Sequence, residues 1–282
     1  MKTLQYDEVM KTLIPTPSVV ALGGIYPLND LVSWVPAGSR GYQPANCYLL
    51  GDGDHRLLVD SGLAIHENAV INGLTELLGD AELSIFFTRG EMDCVSNLQP
   101  IATTFPLRRL YTGGVTNPFD AFDDINRMAL RSRREQIDQK GEGGDSMART
   151  PEIEIAPGRT LDIESPLLRL LPTFWGWDGA SGTIFTSDTF THGVMATPED
   201  SRVIDDLGRD DTTAAQVRAH LLAKYEWIER ASTRNLRDWI ADKFETLQPE
   251  IIAPSRGCVI QGRDLVKRHV DFMLAALAPT DD

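Results

Sequence analysis

"FFTRGEMDCVSNL", residues Phe86–Leu98, is the stretch on which the reading of this chain turns. Between Arg89 and Cys94 it gathers a guanidinium, two carboxylates and a thiol, directly behind the apolar run "ELSIFF". Polar clusters at the end of a buried strand are where α/β proteins collect their chemistry or their metal. Yet the cluster has no histidine, the commonest metal ligand and general base.

Working outward, "NCYLLGDGDHRLLVDSG" upstream is a hairpin: two apolar strands around a Gly-Asp turn, closing on "VDSG" with Asp60. "AIHENAVINGLTELLG" spaces its apolar residues as a helix does and ends in a C-capping Gly79. After the cluster, "SNLQPIATTF" reads as a helix and "RRLYTGG" as a strand. Strand, helix, strand order predicts α/β layering. "VVALGGIYP" and "LVSWVPAG" add two short β-rich runs before the hairpin. Downstream, 118–150 is charged and Gly-rich, an excursion or lid bordering the cleft. Strands return in "TLDIESPLLRLLPTF" and "GTIFTSD"; helices follow at about 214–231 and 233–247. "EIIAPSRGCVI" reads as a last strand and "RDLVKRHVDFMLAAL" as a last helix. The whole of 1–282 reads as a single domain.

Composition excludes several function classes. The 282 residues carry a formal charge of −14, which argues against nucleic acid and against an anionic membrane surface. The N-terminus lacks the apolar core of a signal peptide and no stretch is long enough to span a bilayer. Three cysteines, Cys47, Cys94 and Cys258, lie far apart and imply no disulfide framework. A reducing, cytoplasmic setting is the expectation.

"LLVDSG", a helix, strand–"TRGEMDC", "IFTSD" and "IAPSRG" come in the motif order of the metallo-β-lactamase fold. The chain most resembles the β-lactamase-like domain of flavodiiron proteins and oxygen-binding di-iron proteins. There the metal loop reads Thr-His-x-Glu-x-Asp-His, and Glu91 and Asp93 match its two acids. "IFTSDTF" resembles the family's "LFS-x-D-x-F" and sets Asp188 at the bridging carboxylate. "LLAKYEWIERASTRNLRDWI" is similar to the family's late helical pair. The likeness runs from about residue 30 to 262. It implies a four-layer αβ/βα sandwich, two iron ions, action on dioxygen or nitric oxide, and pairing of two copies.

The histidines of that pattern are all replaced. Arg89 and Cys94 stand at the two loop positions, Thr173 and Phe174 at the third, and Arg256 in place of the histidine of "SHG". No counterpart of the flavodoxin domain that carries FMN in flavodiiron proteins is expected, the sequence ending about where it would start. Carboxylates and a thiol without imidazole make a poor transition-metal site, phenylalanine cannot ligate, and arginine keeps its proton. The expectation is therefore a vestigial site without metal or FMN. Arg89 and Arg256 there supply the charge that Glu91, Asp93 and Asp188 require.

Other residues read more plainly. Cys94 as a nucleophile would want a nearby base, so it is expected to be inert; Cys47 and Cys258 belong to apolar strands and the core. Asp60 of "VDSG" matches a position of the resembled family that is usually structural, which implies an acceptor of hydrogen bonds near the loop. Phe174, Trp175 and Trp177 of "FWGWD", with exposed aromatic faces, and His192 are expected to line a pocket; core packing of at least one tryptophan is the equal alternative. A solvent-facing side chain is the alternative for His192. His66, His220 and His269 are expected on helix surfaces, His55 in a turn. Three functions stay open: a non-catalytic partner subunit or small-molecule binder, an oxidoreductase with unusual ligation, and a metal-independent hydrolase. No Ser-His-Asp or Cys-His pair supports the last.

Overall fold

A computed structural model describes residues 19–113, 127–130, 149–150, 152–168 and 171–278, with the backbone alone at 127–130 and 149–150. The excursion expected at 118–150 lies outside the described residues except for those two short segments. The chain divides into two compact units, Met1–Gly24 with Ala45–Ser181, and Ile25–Pro44 with Gly182–Asp282.

One sheet follows the chain: β1 (Val19–Pro27), β2 (Tyr42–Leu50), β3 (His55–Val59), β4 (Glu82–Phe86), β5 (Leu107–Thr112), β6 (Arg127–Leu130) and β7 (Arg149–Thr150) neighbour one another in sequence order. The expected hairpin is β2 and β3, antiparallel with Tyr48 opposite Val59. β3, β4 and β5 are parallel, so each needs a crossover. α1 (Glu67–Leu78) makes the first, stopping at Gly79 with φ of 55°. The second is a helical turn, α2 (Met92–Val95), and α3 (Leu98–Thr104). Pro100 sits in the first turn of α3, where no backbone N–H is needed. Leu58, Val70, Leu74, Leu83, Ile85, Ile101 and Leu110 form the core of this unit. Each contributes roughly 1.5–3 kcal/mol by leaving water.

In the same unit β8 (Glu152–Ala156), β9 (Arg159–Glu164) and β10 (Trp175–Asp178) run antiparallel, β9 between the other two. The alternation in "EIEIA" buries Ile153 and Ile155 and leaves the glutamates out. β10 corrects the loop reading of "FWGWD": tryptophan is a good strand former, and Trp175 is fully buried.

The second unit holds strands ordered β12 (Val203–Ile204), β14 (Val259–Gln261), β13 (Ile251–Pro254), β11 (Thr183–Ser187). Its helices are α4 (Ala214–Lys224), α5 (Arg234–Leu247) and α6 (Arg263–Ala276). α4 starts in a capping box between Thr213 and Gln216 and gives way at Tyr225 to a 3-10 turn, Glu226–Arg230. Two expectations are corrected here. "EIIAPSRGCVI" is two antiparallel strands, because Pro254 has no ladder donor and Gly257, at φ of 91°, turns the chain. "LVSWVPAG" is an irregular loop, which Pro36 and Gly38 break and a forked Asp30–Arg40 pair cross-links. Among the described residues no helix is long and apolar enough to cross a membrane.

Candidate functional site

The parallel pair β3 and β4 presents its C-terminal ends together, and the loop "TRGEMDC" hangs from them. Asp60 follows β3 at φ of 59°, a left-handed conformation that non-glycine residues seldom adopt. That turn aims its carboxylate at the next strand end. It accepts the Thr88 backbone N–H at 2.8 Å and the Thr88 hydroxyl at 2.8 and 3.1 Å. Burial pushes the Asp60 carboxyl up to about 7, against the pull of the Thr88 bonds and of Arg89.

Ser61 then fastens the far side of the loop: its N–H and hydroxyl both donate to the Cys94 carbonyl, at 2.5 and 2.8 Å. Asn97 donates from its side chain to the carbonyls of Ser61 and Leu63. The loop is thus clamped at both ends.

Between the clamps Arg89 turns inward, its side chain 1% exposed. Its Nε donates to Glu91 at 2.6 Å and its Nη2 to Asp93. Asp93 is 5% exposed and Glu91 41%. One guanidinium thus donates to both acids of the motif, the first reaching the surface and the second buried. Cys94 is wholly buried, with Sγ 3.6 Å from the Thr88 hydroxyl. Burial first, then Asp60 and Asp93, hold its thiol well above the usual range, despite Arg89. Cys47 and Cys258 are buried, and burial pushes the Cys258 thiol up to about 12.

In the second unit, Ser187 and Phe190 take left-handed backbone conformations on either side of Asp188. Ser255 pins this bend by donating twice to the Ser187 carbonyl, at 2.8 and 2.9 Å. The Asp188 carboxylate accepts the Tyr225 hydroxyl at 2.7 Å and lies 3.4 Å from Lys224 Nζ, which also donates to the Asp188 carbonyl. Lys224 and Tyr225 were not singled out in the sequence. They close α4, and only the fold brings that end to Asp188. Arg256 is buried, with its guanidinium carbon 4.4 Å from the centre of the Trp34 ring.

Several expected positions move. Phe174 and Trp175 are buried rather than exposed; Phe174 lies against Gly113, where an added Cβ would fall 1.8 Å from its ring. Its backbone N–H donates to the Thr88 carbonyl, which ties β10 to the loop. Trp177 is half-buried. His66 and His269 are fully buried, not on helix surfaces, and His220 is half-buried. For His269 the signal was present: Leu265, Val266, Val270 and Met273 put it on the apolar stripe of α6. His192 is also buried, lining a small cavity with Asp188, Lys224 and Tyr225.

The residues do not fit the di-iron centre that the resemblance implies. Arg89 donates to both loop acids, Glu91 and Asp93, and the loop itself carries no imidazole. Among the described residues, no group of three or more His, Cys, Asp or Glu is placed to hold a metal ion.

No family model and no curated protein matches the chain. Solved structures do. The rubredoxin oxygen:oxidoreductase of Desulfovibrio gigas superposes with a TM-score of 0.62 at 13% identity, over 91% of this chain and 59% of that one. A variant of the flavo di-iron protein of Thermotoga maritima gives 0.63 at 16%, over 96% and 62%. The chain spans about three-fifths of the length of these two proteins. The chemotaxis sensor ODP from T. denticola, in its apo state, matches end to end: 0.59 at 15%, over 93% and 92%. The mixed α/β architecture of this chain is the metallo-β-lactamase-like fold, in the form carried by flavodiiron proteins.

Proposed function

We propose that this chain is a metal-independent relative of the flavodiiron and di-iron sensor proteins. Ion pairs stand where the metal centre stood, and the protein serves as a binding or partner protein rather than an oxidoreductase. One observation carries the reading: the buried Arg89 guanidinium bonds both Glu91 and Asp93. A metal ion could reach these carboxylates only by displacing a cation that cannot deprotonate, with no imidazole to ligate in its place. The Tyr225 and Lys224 contacts to Asp188 support the same reading. Oxygen or nitric oxide reduction, the alternative, requires imidazole ligands at Arg89, Cys94 and Arg256, where the sequence offers none.

Calorimetric titration of the purified chain with Fe(II) and Zn(II), in an anaerobic cell, tests this. The reading expects no saturable binding tighter than about 10 μM. Tight binding of either ion at a fixed stoichiometry would restore the oxidoreductase.

A further inference from the structure

The stretch "DDLGRDD" between β12 and α4 in the second unit sets aspartates at 205, 206, 210 and 211. Two of them bend the chain back on itself: Asp206 accepts the Gly208 N–H at 2.8 Å, and Asp210 accepts the Thr212 N–H at 3.1 Å. All four line a pocket of about 370 Å³, and Asp200, from the stretch ahead of β12, joins them. Asp200 accepts the Thr197 N–H and hydroxyl at 2.8 and 2.9 Å, and these bonds hold its carboxyl below the ordinary carboxylate range, ionised at pH 7. Among the described residues the lining thus carries five carboxylates and one guanidinium, that of Arg209. Arg209 is 89% exposed and 3.3 Å from Asp206, a pair that water screens.

Asp200, Asp205, Asp206 and Asp211 reach solvent, whereas the Asp210 side chain is only 2% exposed. Its Oδ1 is taken by Thr212, but its Oδ2 has no hydrogen-bond partner. Arg268 Nε and His269 Nε2 stand 3.4 and 3.3 Å away, and neither bonds it. The other ring nitrogen of His269 is engaged by His192 Nε2 at 2.8 Å. A buried carboxylate oxygen without a donor is costly, and a bound cation is one of the groups that relieves it.

A metal ion is a poor match for this lining. Among the described residues no three His, Cys, Asp or Glu are placed to hold one, so the five carboxylates do not converge on a point. Val194, Met195, Val203 and Ile204 supply the apolar part of the same lining. Separate negative charges around an apolar wall suit a ligand of the same pattern, ammonium groups divided by methylene runs. Each primary ammonium brings three donors. The volume lies within the range of about 300–1,000 Å³ typical of small-molecule sites.

We propose that this pocket binds an aliphatic di- or polyamine, one ammonium donating to Asp210 Oδ2 and the rest meeting the exposed carboxylates. The site uses no residue of the Arg89 loop, so it stands or falls independently of the metal-independent reading.

Calorimetric titration of the full chain with spermidine, at pH 7 and low salt, tests this. Expected is saturable binding of one spermidine per chain with a Kd below about 100 μM, weakened by added salt. Asp210→Asn should weaken it by at least about tenfold. Asp205→Asn combined with Asp211→Asn, both exposed and tolerant of change, should weaken it by at least about threefold. Glu67→Gln combined with Asp80→Asn removes the same charge from exposed sites of the other unit and should leave binding unchanged. Non-saturable or absent binding, or equal weakening by the Glu67 and Asp80 pair, would overturn the proposal. So would full affinity in the Asp205 and Asp211 variant or in a folded Asp210→Asn protein, and so would tighter binding of Mg(II) than of spermidine.

Discussion

Replacing Arg89 by methionine keeps most of the stem's volume and deletes only the charged head. The perturbation then falls on two carboxylates in different surroundings. Asp93 is 5% exposed, so removing Arg89 takes a bonded cation away from a buried carboxylate, a loss of about 3–5 kcal/mol. Glu91 is 41% exposed, and water screens its pair to about 0.5 kcal/mol or less. The buried pair therefore dominates, and the total stays near about 3–5 kcal/mol, a large part of the roughly 5–15 kcal/mol that holds a domain together. Urea unfolding at pH 7, followed by tryptophan fluorescence, measures this as a shifted midpoint at constant slope. Adding Asp93→Asn to Arg89→Met should recover at least about 1 kcal/mol, since the buried negative charge is gone. A single-variant loss below about 1 kcal/mol, or no recovery in the double variant, would refute the view that Arg89 balances the buried charge of Asp93.

Tyr225→Phe removes the hydroxyl donated to Asp188, and denaturant unfolding should show a loss of about 1–3 kcal/mol. Gly113→Ala places a methyl inside the Phe174 ring contact, and the same assay should register about 1–3 kcal/mol of overpacking. Asp60 supplies a pH signature. Its carboxyl is held up to about 7 in the fold against 3.8 ordinarily, so the folded state binds the proton more tightly. Its contribution is present in full below about pH 4 and lost as pH rises through about 7, at no more than about 1.4 kcal/mol per unit. The stability of the native protein minus that of Asp60→Asn should fall across this window and level off above it; a rising difference would contradict the assignment.

Much of this was legible because it is local. The hairpin at Gly51–Asp54, the α1 stop at Gly79 and the strand behind Thr88 announce themselves through turn chemistry and apolar period. Pairing of Arg89 with Glu91 and Asp93 was readable for a related reason: the three lie within five residues on one short loop. The partners of Asp188 were not, since Tyr225 is 37 residues away and only packing of α4 brings it there. The His192–His269 bond spans 77 residues and leaves no local trace. "FWGWD" misled because tryptophans beside glycines suit a binding loop and an interior strand equally well. Only the fit of Phe174 to Gly113 and the pairing of β10 with β9 distinguish the two.

Metal content of the native protein is the most direct test of the central claim. The chain should be produced in iron- and zinc-replete medium, purified without chelator and digested for mass-spectrometric analysis of iron, zinc and manganese. The account predicts less than about one-tenth of an equivalent of each per chain, because Arg89 already donates to both loop acids and no imidazole stands beside them. One or two equivalents of any of these metals, lost together with stability on chelation, would contradict it.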